Sequence, residues 1–228
     1  MIKENLEKIR ERIGVAARRV GRSPEEVRLV AVSKRKPPEL IHEAYDCGQE
    51  IFAENYFQEA REKIEILNRN LQWHFIGHLQ SNKAAAAATL FDMIETVDRL
   101  KLAGILDKSL EEKNRILPVL VQVNIGDEPQ KSGIKPEDAE AFFRELNNFT
   151  RLQVKGLMIM PPYSDDAESS RPYFRAAREL AEKLVRKGLL GREGAVELSM
   201  GMSADYEVAI EEGATLVRVG TALFGSRN

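Results

Sequence analysis

The sequence has 228 residues, and its 34 basic and 36 acidic side chains give a formal net charge of −2, which argues against broad electrostatic binding to nucleic acid or to an anionic membrane. The composition is 43% hydrophobic and 31% charged, as in ordinary globular proteins, and the single cysteine, Cys47, excludes an internal disulfide framework and indicates a reducing compartment. Because the charged N-terminus lacks the apolar core of a signal peptide and no run of about 18 apolar residues follows, we expect a cytoplasmic protein without a membrane-spanning helix.

The N-terminal segment predicts a helix ahead of the first strand. Apolar residues recur there at spacings of three and four, with charged residues between them, at Ile2, Leu6, Ile9 and Ile13. We expect an amphipathic helix over residues 1–21 that ends near Gly21, followed by a single turn at 24–26. The exposed face of this helix is rich in Lys, Arg and Glu, which favours a monomer.

From residue 29 onward, short apolar runs alternate with amphipathic segments. The apolar runs are rich in β-branched residues and predict eight buried strands, over 29–32, 51–53, 72–76, 93–97, 117–123, 154–160, 195–198 and 216–219. The segments between them predict helices over 37–47, 56–68, 83–90, 99–113, 137–149, 171–186 and 204–212. Such alternation implies parallel strands joined by helical crossovers.

Eight strand–helix units favour one α/β architecture. Eight units in somewhat over 200 residues fit a single (β/α)8 barrel of the TIM type, with residues 1–228 forming one domain. The alternative is a doubly wound open sheet, which places a glycine-rich turn after its first strand. Here the first strand is followed by Ser-Lys-Arg-Lys-Pro-Pro at 33–38, and the absence of glycine favours the barrel.

Lys34 follows the first strand, at the carboxyl end where parallel barrels carry their functional residues. It shares strand parity with Val30 and Val32, so its side chain can point toward the mouth of the barrel. Desolvation at that place lowers the pKa of a lysine and supplies the neutral amine that forms a Schiff base. A solvated lysine at a strand end is the simpler alternative, and Lys36 is a weaker candidate for the same chemistry.

The loops after the seventh and eighth strands have the composition of a phosphate site. Ser199-Met-Gly-Met-Ser203 supplies two hydroxyl groups and a glycine, and it opens onto the helix predicted from Ala204. Gly220 and Thr221 add a close backbone approach and a third hydroxyl. The alternative is that the two serines are helix caps and that Gly220 forms a turn.

Arg218 is a charged residue inside the eighth strand, where burial requires a partner. It could face a ring nitrogen of a bound cofactor, or a carboxylate such as Glu197 or Glu54. A lysine, a phosphate cradle and an arginine for a pyridine nitrogen together describe a site for pyridoxal 5′-phosphate (PLP).

The chain also resembles a known family over about Leu29 to Gly225. The segments that carry this resemblance are, in order, LVAVSK, FAENYFQE, WHFIGHLQSNK, VNIGDEPQKSGI, GLMIMPP and LSMGMSADYEVAIEEGATLVRVGTALFG. They are similar to the pyridoxal phosphate homeostasis protein family, whose fold-type III PLP-binding barrel resembles the N-terminal barrel of alanine racemase.

The resemblance implies a role for each residue of the predicted site. Lys34 would hold PLP as a Schiff base, Arg218 would face the pyridine nitrogen, and Asn55 would line the pocket. The phosphate would be surrounded by Ser199, Gly201, Met202, Ser203, Gly220 and Thr221. Because an arginine does not give up a proton at neutral pH, the ring nitrogen would stay unprotonated and the ring would be a poor electron sink.

Two functions of different class follow from this site. The first is a carrier that buffers or delivers PLP in vitamin B6 homeostasis, with no catalytic residue, no metal, and PLP-dependent apoenzymes as possible recipients. The second is an amino-acid racemase, which needs an acid/base group on each face of its substrate. In alanine racemase the second base comes from a β-rich domain and a partner subunit, and we expect that domain to be absent here because the chain ends at Asn228. The carrier is therefore preferred, and a Schiff-base aldolase is a remote third possibility.

Two further features of the sequence involve histidine and lysine residues. His74 and His78 have the spacing of two metal ligands on a helix, but the aromatic residues around His74 indicate a strand and disfavour zinc. Lys131 reads best as an ordinary surface lysine. Our hypothesis is that it steers or accepts the aldehyde of PLP during transfer, because it follows the fifth strand on the same face.

Overall fold

The structure is a computed structural model that describes residues 1–67, 70–192 and 194–225. Its eight parallel strands close into a barrel in the order of the chain, with β1 paired to both β2 and β8. The strands are β1 Arg28–Val32, β2 Ile51–Glu54, β3 Gln72–Phe75, β4 Met93–Val97, β5 Leu117–Val123, β6 Leu152–Ile159, β7 Glu197–Ser199 and β8 Leu216–Val219. The predicted (β/α)8 barrel is confirmed.

Helices follow the strands and surround the barrel. They are α1 Ile2–Arg19, α2 Pro38–Asp46, α3 Phe57–Leu67, α4 Ser81–Leu90, α5 Leu100–Glu111, α6 Ala139–Leu146, α7 Arg171–Arg186, α8 Tyr206–Glu211 and α9 Thr221–Phe224. Short 3-10 turns lie at Pro24–Glu26, Pro136–Asp138 and Ala167–Ser170. Among the described residues, none of the helices combines the length and the apolarity needed to cross a membrane.

The differences from the sequence prediction lie at element ends. Residues 203–205 form a turn rather than helix, because the amides of Asp205 and Tyr206 both donate to Met202 O, so α8 begins later than predicted. The helix predicted over 137–149 is a 3-10 turn followed by α6. The four-residue helix α9 was not predicted, since one turn has no hydrophobic period. The predicted end of the third helix at Asn68 lies outside the described residues.

Alternate residues of each strand face opposite sides of the barrel wall. Inward-facing residues such as Val30, Ala53 and Met158 form an interior cluster, and outward-facing residues such as Ala31 and Phe52 pack in the larger cluster shared with the helices. In the first strand, Val30 and Val32 therefore face the interior of the barrel, as the alternation predicted.

The N-terminal helix α1 packs beside the last β/α unit. It buries Ile2, Leu6, Ile9 and Ile13, as the spacing predicted, and ends before Gly21, which has a φ of +72°. The helix lies against α8, α9 and α2, so the two ends of the described chain meet on one side of the barrel.

Candidate functional site

A cavity of about 400 Å³ opens at the carboxyl ends of the strands. It brings together seven of the nine predicted site residues, which are Lys34, Asn55, Met202, Ser203, Arg218, Gly220 and Thr221. The side of the cavity toward the loop after β6 is formed by Met160, Pro162, Tyr163 and Ser164, which are not among the predicted site residues. The other two predicted residues, Ser199 and Gly201, are not among the cavity-lining residues.

Lys34 lies in a tight turn directly after β1. The amide of Lys36 donates to Ser33 O at 3.0 Å, which closes the turn, and Arg35 has a φ of +59°. Lys34 itself is half-buried and lines the cavity, as its shared parity with Val30 and Val32 predicted. Its role in covalent chemistry remains a prediction.

A buried ion-pair cluster supports this turn from outside the barrel wall. We call Glu54, Glu59 and Lys63 the Lys63 cluster. Lys63 Nζ donates to Glu54 Oε1 at 2.7 Å and to Glu59 Oε1 at 2.6 Å, and it also donates to Ser33 O at 2.7 Å. Burial raises the pKa of Glu54, and the charge and hydrogen bond of Lys63 partly offset this rise.

The sequence itself contains a signal for the Lys63 cluster. Lys63 lies three residues after the buried Ala60 on α3, so it occupies the buried face of the helix. A lysine at such a position needs a partner of opposite charge, and the nearest strand end supplies Glu54.

The loop after β7 is held by its own polar groups. Met202 N donates to Asp205 Oδ1 at 2.7 Å, and Ala222 N donates to Ser203 Oγ at 3.4 Å, which ties this loop to the loop after β8. Gly201 has a φ of +89°, and a Cβ there would lie 2.6 Å from Ala209 Cβ. Packing against α8 therefore requires glycine at this position, and the close approach of a ligand to Gly201 stays a prediction.

Arg218 lies on the floor of the cavity and is 3% exposed. Its Nη1 donates to Ser199 Oγ at 2.6 Å, and its Nη2 donates to Ile159 O at 2.8 Å. Ser199 Oγ in turn donates to Glu95 Oε2 at 2.5 Å, and Glu95 Oε1 is 2.7 Å from His74 Nδ1. A continuous chain of hydrogen bonds thus crosses the barrel interior from β3 to β8.

This chain of hydrogen bonds corrects the predicted carboxylate partners of Arg218, while a contact with a cofactor ring nitrogen stays a prediction. Glu197 instead pairs with Arg28 near the other end of the strands, at 2.6 Å, and Glu54 belongs to the Lys63 cluster. Ser199 was predicted to contact a phosphate, but its hydroxyl lies below the cavity, between Glu95 and Arg218. The physical reason is parity, because Leu198 faces the helices and its neighbour Ser199 therefore faces the interior.

The charges in the interior compensate each other. Burial lowers the pKa of Arg218, and the negative charges of Glu95 and Asp205 oppose this effect. Burial alone would raise the pKa of Glu95, but the hydrogen bond and charge of His74, together with the charge of Arg218, hold it below its ordinary value. The arginine is thus kept as a fixed, hydrogen-bonded cation under the cavity.

Asn55 contributes an unused acceptor to the cavity wall. Its Oδ1 is buried and finds no hydrogen-bond donor among residues 1–67, 70–192 and 194–225. A buried acceptor without a partner is costly, so a donor supplied by a ligand would be stabilised there.

Lys131 and the two histidines take positions that the sequence left open. Lys131 Nζ donates to Pro161 O at 2.9 Å and pairs with Glu128, so it joins the loop after β5 to the loop after β6. Pro161 itself lies between two cavity-lining residues, Met160 and Pro162. His74 lies in β3, as its aromatic neighbours indicated, and His78 lies in the following loop. The transfer role of Lys131 remains a hypothesis.

Comparisons with known proteins show the family of this chain. The family described as alanine racemase, N-terminal domain, matches residues 5–228. A pyridoxal phosphate homeostasis protein of Aquifex aeolicus is 43% identical over 225 residues, which cover 98% of this chain and 97% of the relative. The chain belongs to the pyridoxal phosphate homeostasis protein family.

Solved structures show how far this likeness reaches. PipY of Synechococcus elongatus PCC7942 with PLP bound has a TM-score of 0.87 and 38% identity, covering 99% of this chain and all of PipY. An alanine racemase of Clostridium difficile 630 has a TM-score of 0.75 and 16% identity, and this chain covers 56% of it. The family therefore shares the barrel of alanine racemase, and the predicted fold class is confirmed.

Proposed function

We propose that this protein binds PLP in the cavity at the mouth of the barrel and serves PLP homeostasis as a carrier that buffers or delivers the cofactor. The observation that carries the proposal is the convergence of Lys34, Arg218 and the hydroxyl groups of Ser203 and Thr221 on one cavity. The names of the family relatives and the PLP-bound structure of PipY support the same ligand.

The residues present fit the functional groups of PLP. The cavity of about 400 Å³ lies within the size range of small-molecule sites. Lys34 would supply an amine for the aldehyde and Arg218 a cation for the pyridine nitrogen, and Ser203 and Thr221 would supply hydroxyl groups for the phosphate. Asn55 Oδ1 supplies an acceptor for a donor on the ligand.

We propose that Lys34 makes the attachment covalent. As a neutral amine, Lys34 would add to the aldehyde carbon of bound PLP, with the aldehyde oxygen leaving as water and a carbon–nitrogen double bond formed. The step needs no other reactant and reverses when water or another amine attacks the same carbon. Reversible attachment suits a protein that holds a reactive aldehyde and later gives it up.

The geometry favours a carrier over a racemase. Arg218 is fixed by Ser199 and Ile159 and does not protonate the ring, which weakens the cofactor as an electron sink. Racemisation also needs a second acid/base group opposite the lysine. Tyr163 lines the cavity, but its hydroxyl donates to Asp165, and this hydrogen bond raises its pKa.

The visible absorption spectrum tests the proposal. We expect the purified protein with added PLP to show a yellow chromophore that borohydride reduces, and we expect Lys34→Ala to lack it. Lys36→Ala is the matched control, because Lys36 Nζ donates to the carbonyls of Phe224 and Gly225 and should leave the chromophore intact. A wild-type protein that does not bind PLP would defeat the proposal.

Incubation with amino acids separates the carrier from the racemase. The PLP-loaded protein is mixed with L-alanine, other L-amino acids and their D-forms, and the enantiomers are counted over time. We expect no sustained turnover, and a steady rate of racemisation that is lost in Lys34→Ala would overturn the carrier assignment.

Transfer to an apoenzyme tests the hypothesis for Lys131. If Lys131 steers the aldehyde, Lys131→Ala slows the delivery of PLP from this protein to a PLP-dependent apoenzyme. Unchanged transfer rates would leave Lys131 with a structural role only, through its contacts with Pro161 and Glu128.

We place this carrier in the cytoplasm, since its single cysteine, Cys47, forms no internal disulfide. We expect a monomer, because the exposed face of α1 is charged.

A further inference from the structure

The turn that carries Lys34 holds a non-glycine residue in an unfavourable conformation. Arg35, directly after the lysine, has a φ of +59°, a region that residues with a Cβ rarely occupy. Such a conformation persists when the surroundings hold it in place, and it is often found beside functional residues. Contacts around the Ser33–Lys36 turn must therefore hold Arg35 in this conformation.

The Lys63 cluster contacts the backbone on both sides of Lys34. Glu59 Oε1 accepts the amide of Arg35 at 2.5 Å and also the ammonium group of Lys63 at 2.6 Å. The same ammonium group donates to Ser33 O at 2.7 Å, and Ser33 Oγ donates to Glu54 Oε1 at 2.8 Å. The residues before and after Lys34 are therefore fastened to one set of charges.

The cluster acts from behind the barrel wall. Ala53 belongs to the interior cluster of the barrel, so the next residue, Glu54, faces outward against α3. The side chain of Lys63 is 7% exposed and that of Glu54 is 0% exposed. Buried ion pairs contribute little net stability compared with apolar packing, which favours a role in fixing a geometry.

We propose that Glu59, supported by Lys63 and Glu54, is a positioning residue that keeps the Ser33–Lys36 turn in the conformation that directs Lys34 into the cavity. The proposal rests on the proposed function, because it assigns the means by which the PLP-binding lysine is preorganised. Without the hydrogen bond from Arg35, the turn relaxes to conformations with negative φ, and Lys34 Nζ no longer stays at one place.

A rescue experiment tests the proposal. Glu59→Ala removes the acceptor of the Arg35 amide while keeping a good helix former in α3, and we expect the dissociation constant for PLP to rise about tenfold. Glu62→Ala is the matched control, because it removes one exposed carboxylate from the same helix, and we expect no change. Adding Arg35→Gly to Glu59→Ala should restore most of the affinity, because glycine adopts positive φ without help.

Each outcome bears on the proposal. Wild-type affinity in Glu59→Ala overturns it, and so does a loss of affinity that Arg35→Gly fails to restore, since the cluster would then act on something other than the turn. Hydrogen exchange of the Arg35 amide, measured without PLP, keeps the test separate from the proposed function. Protection in the wild type that is lost in Glu59→Ala supports the turn mechanism even if PLP binding fails, and equal protection contradicts it.

Discussion

At the scale of single residues, one hydroxyl group connects two buried charged groups in the interior of the barrel. Ser199 Oγ lies between the guanidinium of Arg218 and the carboxylate of Glu95, accepting from one and donating to the other. Buried charged groups that lose a hydrogen-bond partner are destabilising, because desolvation is no longer compensated. The hydroxyl therefore matters more for stability than its size suggests.

We expect Ser199→Ala to lower the free energy of unfolding by about 2 kcal/mol, because both charged neighbours lose a hydrogen bond. Denaturant unfolding measures the change. Ser109→Ala is the control, since its hydroxyl donates to Leu106 O within α5, and its effect should stay within about 0.5 kcal/mol. An equal effect of the two substitutions would contradict the bridging role of Ser199.

Individual site residues were predictable to different degrees. Strand parity placed Lys34 at the cavity, and a charged residue in a strand marked Arg218 as a residue with a buried partner. The same parity, applied to Glu95 and Ser199, would have turned both inward, but it does not say which inward residues meet. That information arises when β4, β7 and β8 are brought together by closure of the barrel.

At the scale of elements, α7 and α8 are joined by a carboxylate surrounded by arginines. Glu212, directly after α8, accepts hydrogen bonds from Arg171, Arg175 and Arg178, all on α7, and its side chain is 7% exposed. Burial alone would raise the pKa of Glu212, but the hydrogen bonds of Arg175 and Arg171 hold it below its ordinary value.

The lowered pKa gives Glu212 a pH-dependent contribution to stability. Its stabilisation is present above the unfolded-state pKa and is lost as the pH falls through the lower folded-state value. We expect Glu212→Gln to cost about 1 kcal/mol near neutral pH, with the difference from wild type shrinking below about pH 4. Thermal unfolding across pH measures this. Glu182→Gln, which removes an exposed ion pair on α7, should show little effect at any pH.

The ends of elements were predicted well where hydrophobic periodicity sets them and poorly where a turn sets them. The observed bounds of β4, β5, α7 and β8 equal the bounds predicted from the sequence, residue for residue. The start of α8 was misplaced because the Met202–Asp205 turn is fixed by the side chain of Asp205. The four residues of α9 form about one turn, which is too short for a hydrophobic pattern to repeat.

At the scale of the whole molecule, barrel closure links the ends of the chain. β1 pairs with β8 from Arg28 to Ala31, and Arg22 donates to the carbonyls of Ile210 and Ala214, so the first and last β/α units depend on each other. We propose that residues 1–228 form one domain, and we expect one cooperative unfolding transition.

The single tryptophan provides the measurement. Trp73 lies buried in β3, two strands from β1 in the barrel order, so its fluorescence reports on a part of the barrel other than the contact between α1 and α8. Fluorescence and far-UV circular dichroism should therefore give coincident denaturant transitions. Two separated midpoints would show that the N-terminal helix or the first units unfold independently.

The pairing of the short strand β7 with β8 is limited, and it lies directly below the loops that follow these two strands. β7 has three residues and pairs with β8 at Ser199 and Leu216, while the amides of Met200 and Arg218 donate between the same two segments at 3.1 and 3.0 Å. A ligand whose phosphate contacts both the loop after β7 and the loop after β8 would link these loops and stabilise the pairing of β7 with β8. Slower hydrogen exchange of the Met200 and Arg218 amides on addition of PLP would show this stabilisation. Bound PLP would then stabilise the closed barrel, and the barrel would lose that stabilisation when PLP is delivered.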